Sequence, residues 1–180
     1  MDDAYFVKPL GRRQIDQAFP VVSACSPGIG VERWRAFAAA VIPAADLEAA
    51  PSSPHAIVMA DDSPATPAPT GIITAQSDRG YIHGLFSYAV EPDLRHGRVL
   101  TADNFVVLDL VDPDAPATVL LKAMEHLARR LGCGAIHASL PEGAAPMLNR
   151  LHHAGHHPEA RRLCKPLDCV NGNQPDTDGA

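Results

Sequence analysis

The sequence predicts an α+β domain with a mixed, mostly antiparallel central sheet and helices on both faces. Three observations predict it. Apolar residues recur at helical spacing near the start of the chain, and a run of alternating or wholly apolar segments follows. Helical and strand patterns then alternate toward the end of the chain.

The first part of the chain predicts one strand and two helices. A short strand is expected at residues 6–10. Residues 11–25 then show helical spacing, with Pro20 as a kink. A second helix over residues 31–42 places Trp34, Phe37 and Val41 on one stripe.

The middle of the chain predicts consecutive strands. They are expected at residues 55–61, 70–76, 80–91 and 98–111. The last of these is predicted to be the longest, and it is nearly all apolar from Phe105 to Val111. A strand of this kind should be central in the sheet, because the apolar side chains on both of its faces need to be buried.

The last third predicts alternating helices and strands within one domain over residues 1–167. Its clearest helix is expected at residues 117–131, with an apolar stripe opposite a charged face. A strand, a helix and a last strand should follow at residues 135–140, 144–154 and 160–167. The polar residues 168–180 are expected to form a disordered tail.

The composition excludes several classes of protein. The formal net charge of −6 argues against nucleic-acid and membrane-surface binding. The start MDDAYFVKPL carries no apolar stretch of the signal-peptide kind, so a cytoplasmic location is expected. The four cysteines form no C-x-x-C pair, which favours free thiols or small buried apolar residues.

Three local phrases, in this order and spacing, carry a family resemblance. They are VKPLGRRQIDQAFPVV near the start, VDPD followed by LLKAMEHLARRLGC, and MLNRLHHAGHHPEARRLCKPL near the end. Together with the element order over residues 5–167, they make the chain resemble the GNAT (N-acetyltransferase) superfamily. In that family a cofactor lies where the central strand splays from its neighbour, and a glycine-rich loop wraps its pyrophosphate.

The chain departs from the family pattern in that loop. The corresponding DPDAPAT segment has no glycine, Arg or Gln, and its two aspartates would repel a pyrophosphate. The resemblance still implies a cofactor beside the central strand and the next helix. It would contact Leu110, Val111, Ala117, Thr118 and Val119. Thr118 can instead cap or pack the first helical turn.

The candidate catalytic residues lie on the two strands expected to face the cleft. Asp109 interrupts an apolar strand, so it is a general base, a carboxylate satisfied inside the sheet, or a residue at an exposed strand end. Tyr88 and His83 lie on the neighbouring strand, on opposite faces by alternation. The Tyr that often serves as general acid in the family aligns with Leu151, which has no proton to give.

Four histidines in RLHHAGHHPEARR form an unusual cluster, comprising His152, His153, His156 and His157. Their i,i+4 spacing is that of helical metal ligands. However, Gly155 and Pro158 should end the helix before the second pair. The cluster is therefore interpreted as a solvated helix end, and no metal site is assigned.

The resemblance implies an acyl-CoA-dependent N-acyltransferase with acetyl-CoA as co-substrate. A small-molecule or peptide amine would attack the thioester directly, and a homodimer is one arrangement that the family allows. The missing glycines and the Leu151 replacement leave a second reading open. In that reading the chain is a catalytically inactive GNAT-like domain that binds another small ligand or a protein partner.

Overall fold

The structure is a computed structural model that describes residues 5–43, 67–109, 112–141, 144–160 and 162–165. Its strands are β1 (Phe6–Pro9), β2 (Thr70–Gln76), β3 (Ile82–Asp93), β4 (Gly97–Val107) and β5 (Ala135–Ala138). Its α-helices are α1 (Ile15–Cys25), α2 (Val31–Val41), α3 (Asp114–Arg130) and α4 (Ala145–His153), and a short 3-10 helix at Arg12–Gln14 precedes α1. The predicted fold class is confirmed.

The five strands form one sheet in the order β1-β2-β3-β4-β5. The first three pairings are antiparallel, and only β4 and β5 run parallel. The parallel pair follows from the chain order, because α3 connects β4 to β5 as a crossover. β3, with 12 residues, is longer than β4, with 11, so the prediction that residues 98–111 form the longest strand is wrong.

Helices cover both faces of the sheet, as predicted. One apolar cluster joins α3 and α4 to the sheet through Ile73, Phe86 and Leu100. The other joins α1 and α2 to the opposite face through Ile72 and Leu85. The alternation of Ile72 and Ile73 between the two clusters shows that β2 is buried on both sides.

Gly84 lets α3 lie close to the sheet. A Cβ at this position would come within 2.9 Å of the Leu120 side chain and of the Val106 carbonyl oxygen. Leu120 is fully buried at the centre of α3, so a larger residue at position 84 would push the helix outward.

Four predictions concern single segments of the chain. The predicted last strand at residues 160–167 is wrong for the residues described there, 160 and 162–165, which form no strand. Pro20 lies inside α1, and the helix continues through it. The strand predicted at residues 55–61 and the tail 168–180 lie outside the described residues. Among those described, no helix is long and apolar enough to cross a membrane.

Candidate functional site

Pairing between β4 and β5 ends well before β4 does, and we call the edge of β4 from Asp103 to Val107, which is not paired with β5, the slot. The parallel pairing runs from Val99↔Ala135 to Ala102↔Ala138, and its last backbone bond joins Ser139 N–H to the Ala102 carbonyl at 2.9 Å. β4 continues for five more residues, about 16 Å at the usual rise of a strand, to Val107. Within the described residues, no ladder pairing joins this part of β4 to β5. This edge of β4 lies where the sequence interpretation expects the cofactor.

A β-bulge lies at the mouth of the slot. Leu85 pairs with Val106 and Ser87 pairs with Asp103, so β4 has one residue more than β3 over this interval. Asn104 takes up the difference with a φ of 55°, a left-handed conformation that Asn tolerates better than most residues. Its side-chain amide donates to the Ser87 hydroxyl at 2.9 Å. The bulge turns β4 where β5 leaves it.

The helix end beside the slot has its backbone donors occupied. Four N–H groups at a helix N-terminus normally lack partners in the helix. In α3, Pro113 and Pro116 have no N–H at all. The Asp112 carboxylate accepts the remaining two, from Asp114 at 3.0 Å and from Ala115 at 3.2 Å. The chain's own carboxylate thus sits where a phosphate would be held.

Charge at this helix end also disfavours a phosphate. Asp112 and Asp114 are both exposed there. Arg150 of α4 forms an ion pair with Asp114, so one nearby cation is already engaged. A dianionic group would therefore meet two carboxylates and a paired guanidinium.

Three of the residues predicted to contact a cofactor lie in the first turns of α3. α3 begins at Asp114, three residues earlier than predicted, so the N–H groups of Ala117, Thr118 and Val119 fall within its own hydrogen-bond ladder. Ala117 is buried and Val119 partly buried. The Thr118 hydroxyl donates to the Asp114 carbonyl at 2.8 Å, which matches the packing alternative. Leu110 and Val111 lie outside the described residues.

Asp109 and His83 come together at the far end of the slot. The Asp109 carboxylate accepts the Tyr5 hydroxyl at 2.6 Å and the Asp112 N–H at 2.9 Å, and it lies 2.9 Å from His83 Nδ1. The Asp109 side chain is 8% exposed and that of His83 is 26% exposed. If Nδ1 carries the proton toward Asp109, the lone pair of His83 lies on Nε2. The site can therefore present a histidine base that a carboxylate orients.

Tyr88 lies apart from this pair. Its side chain packs in the cluster under α3, and its hydroxyl donates to the Ala68 carbonyl at 3.1 Å. The structure therefore brings two of the three predicted catalytic residues together. That His83 and Tyr88 lie on opposite faces stays a prediction, because the pairing of β2 with β3 shifts register at His83 and simple alternation does not hold there.

The sequence interpretation missed the polar residues at the mouth of the slot. Asp103 precedes the bulge and binds Arg162 at 3.0 Å, with a side chain 33% exposed. Thr101 donates to Glu91 at 3.1 Å nearby. The signal was an acid on a predicted strand, as at Asp109, although β4 also carries Thr101 and Asn104 close to Asp103. Arg162 could not be found in this way, because nothing in its local sequence points to β4.

The histidines near the chain's end do not form the helical pairs. α4 ends at His153, and Gly155 adopts a φ of 90°. His152 and His153 are exposed on the last turn, in agreement with a solvated helix end. His156 and His157 follow the helix and therefore do not extend its face.

A different histidine group forms instead. His96, His137 and Glu159 have their ligand atoms within 4.8 Å of one another. Hydrogen bonds from His96 and Arg95 hold the pKa of the Glu159 carboxyl below its usual value, so this carboxylate stays charged.

The cysteines in the described residues are free thiols. Burial raises the pKa of the Cys25 thiol, and the same cause raises that of Cys133. A raised pKa lowers the thiolate fraction at neutral pH, which argues against a catalytic cysteine at either position.

We expect alkylation to distinguish these thiols. Exposed Cys164 should react with iodoacetamide first, and Cys25 should react more slowly because it is partly buried and holds its proton. Mass spectrometry of the native protein after timed quenching measures the order, with labelling in denaturant as the control. Faster labelling of Cys25 than of Cys164 would contradict the prediction.

The chain is similar to known proteins in structure, and no similarity was found in sequence. No family model matches the sequence, and no curated protein matches it by sequence. The fold is similar to an aminoglycoside N-acetyltransferase, AAC(6')-Iy, solved in complex with CoA, with a TM-score of 0.67 and 12% identity over 94% of this chain and 98% of that one. It is also similar to a ribosomal-protein-alanine N-acetyltransferase from Brucella melitensis biovar Abortus 2308, with a TM-score of 0.64 and 11% identity over 91% and 100%.

A third similar structure is glucosamine-6-phosphate N-acetyltransferase from Arabidopsis thaliana. Its TM-score is 0.61 at 9% identity, over 92% of this chain and 100% of that one. The chain therefore has the fold of the GNAT superfamily, as the sequence resemblance predicted.

Proposed function

We propose that the chain is an acyltransferase that binds an acyl thioester along the free part of β4 and transfers the acyl group to an amine. The observation that carries the proposal is the end of β4–β5 pairing at Ala102, with β4 continuing to Val107. This leaves strand backbone able to bond the amide groups of a pantetheine arm. The structural similarity to N-acetyltransferases supports acetyl-CoA as the donor.

The reaction would proceed by direct attack. The amine nitrogen forms a bond to the thioester carbonyl carbon, the C–S bond breaks, and the amine loses one proton while the thiolate gains one. Catalysis of this kind depends chiefly on positioning the two reactants. Leu151 is 3% exposed in the apolar core, so it takes no part in proton transfer. Water would protonate the thiolate.

His83, oriented by Asp109, is the proposed base. The sequence interpretation placed Asp109 first, but its carboxylate already has Tyr5, His83 and Asp112 as partners. Asp109 is therefore better suited to hold the imidazole than to accept the substrate's proton. The pair lies beside the start of α3, so the attacking amine would need to lie within hydrogen-bond reach of His83 Nε2, or one water away from it.

The acceptor is proposed to be a small-molecule or peptide amine. Glu91 and Asp103 lie on β3 and β4 near the slot mouth, and carboxylates attract a protonated amine before it loses its proton. A homodimer and a cytoplasmic location stay predictions from the sequence.

The donor proposal is tested by comparing acetyl-CoA with S-acetyl-pantetheine, which lacks the pyrophosphate and nucleotide. Because Asp112 occupies the α3 donors, we expect the two dissociation constants to agree within about tenfold, or 1.4 kcal/mol. Either ligand at a hundred times its dissociation constant should stabilise the protein by about 2.7 kcal/mol. Calorimetric titration and thermal unfolding measure both quantities.

Two controls sharpen this test. Free pantetheine without an acyl group reports on the arm alone. Asp112→Asn retains a capping side chain but removes its charge, and should therefore strengthen acetyl-CoA binding more than acetyl-pantetheine binding. No stabilisation by either thioester at millimolar concentration would overturn the proposal.

The occupied helix end favours a second candidate function. A GNAT-fold domain without acyl transfer, which binds another small ligand or a protein partner, agrees with the Asp112 contacts and with Arg150 paired to Asp114. Failure of both thioesters to bind would support this reading.

A further inference from the structure

Three distant segments converge beside β5. His96 lies in the turn between β3 and β4, His137 lies on β5, and Glu159 follows α4. The Asp93 carboxylate fixes the turn by accepting the N–H groups of Arg95 and His96 at 2.8 and 2.7 Å. The His96 carbonyl lies so close to Gly134 that a Cβ there would be at 2.7 Å. The backbone around two of the three side chains is therefore constrained.

Their spacing approaches that of metal ligands. His96 Nε2 lies 3.0 and 3.2 Å from the two Glu159 oxygens, and His137 Nε2 lies 3.6 Å from Oε2. Neighbouring ligand atoms around a tetrahedral Zn²⁺ are about 3.4 Å apart, given Zn–N and Zn–O bonds near 2.1 Å. All ligand atoms lie within 4.8 Å, so side-chain rotations suffice to close the site.

His137 gives an independent indication. Its Nε2 atom is buried, and within the described part of the chain it makes no hydrogen bond. The 3.6 Å separation from Glu159 is longer than a hydrogen bond should be. A buried imidazole nitrogen without a partner is costly, and a cation between it and Glu159 would satisfy it.

We propose that His96, His137 and Glu159 bind one divalent transition-metal ion of the Zn²⁺ class. Two imidazoles and one carboxylate are a common ligand set for this class. Arg95 Nη1 holds Glu159 Oε1 at 2.7 Å, which leaves Oε2 for the ion. The Arg95 side chain is 74% exposed, so water screens its charge, while the Asp93 carboxylate close to His137 offsets it.

The site would join the segment after α4 to the sheet. His137 pairs with Thr101, one pair before β4 and β5 separate, so the ion would lie close to the slot mouth. By alternation it would lie on the face opposite α3, since Leu100 and Ala102 face that helix. Three protein ligands leave a fourth position open to water or to an exogenous ligand. The inference is independent of the proposed acyl transfer.

The test measures Zn²⁺ binding to the full, untagged chain after EDTA treatment and dialysis. We expect one ion per chain by elemental analysis and by calorimetric titration. His137→Gln and Glu159→Gln should each weaken binding by at least about 100-fold, because removing a direct ligand costs no less than removing its supporting partner. His153→Gln, which alters an exposed histidine outside the group, is the matched control and should bind as the parent does.

A second readout keeps the test independent of folding defects. Co²⁺ in place of Zn²⁺ should give the visible absorption of a four-coordinate ion in the parent and in His153→Gln, and lose it in His137→Gln. Circular dichroism in EDTA checks that each variant is folded. No uptake of micromolar Zn²⁺ by the parent would overturn the proposal and leave the group as an ion-pair cluster. Equal uptake by His137→Gln and the parent would also overturn it.

Discussion

Replacing His83 with Gln is expected to lower kcat/KM for acyl transfer by about 10²–10⁴-fold, the usual contribution of a general base. Gln can still donate a hydrogen bond to Asp109, so the local structure should be kept. What the variant loses is the imidazole lone pair. Steady-state kinetics over a range of pH with a panel of amines measures the effect.

Tyr5→Phe is the matched control for this prediction. It removes another hydrogen bond to Asp109, at 2.6 Å, but leaves the imidazole in place. We expect Tyr5→Phe to lower the free energy of unfolding by about 1 kcal/mol and to change kcat/KM by only a few-fold. Equal losses of activity in both variants, in proportion to lost stability, would make the group structural and remove His83 as the base.

Phe86→Ala is expected to lower the free energy of unfolding by about 3–5 kcal/mol. Phe86 is fully buried and stacks on Phe105 with ring centroids 5.7 Å apart. It lies on β3 between Leu85 and Ser87, where the register shifts. The loss therefore combines the lost burial of the ring, a cavity under α3 and weaker support for the bulge that begins the slot.

Chemical denaturation followed by circular dichroism measures this effect. Leu94→Ala, at a fully exposed turn position, is the control and should change stability by no more than about 0.5 kcal/mol. A loss below about 1 kcal/mol in Phe86→Ala would show that the sheet does not depend on the Phe86–Phe105 stack.

Periodic apolar residues made most elements predictable. Strand β2 was predicted at its observed bounds, and α2 and α4 within one residue at each end. These segments bury one face or both, so their sequences carry the period of the structure. The strand predicted at residues 160–167 is wrong for the residues described there. A local pattern can suggest a strand, but it does not supply a neighbouring strand to pair with, and residues 160 and 162–165 form no strand.

The start of α3 was placed three residues late because two prolines interrupt the apolar pattern there. Proline is accepted in a first helical turn, where its missing N–H has no intrahelical partner to lose. The absence of glycine predicted a loop that differs from the family's phosphate-binding pattern. Only the distances in the structure show that the Asp112 side chain caps the helix.

The sequence by itself determined the sheet-and-helix composition, the glycine-free loop and the candidacy of Asp109 and His83, because each of these follows from local pattern. Only the tertiary structure decided which side chains meet across the sheet. His96 and Glu159 are 63 residues apart, and Tyr5 and Asp109 are 104 apart. Such contacts depend on strand order and register, and neither can be predicted from the spacing of residues that are close in sequence.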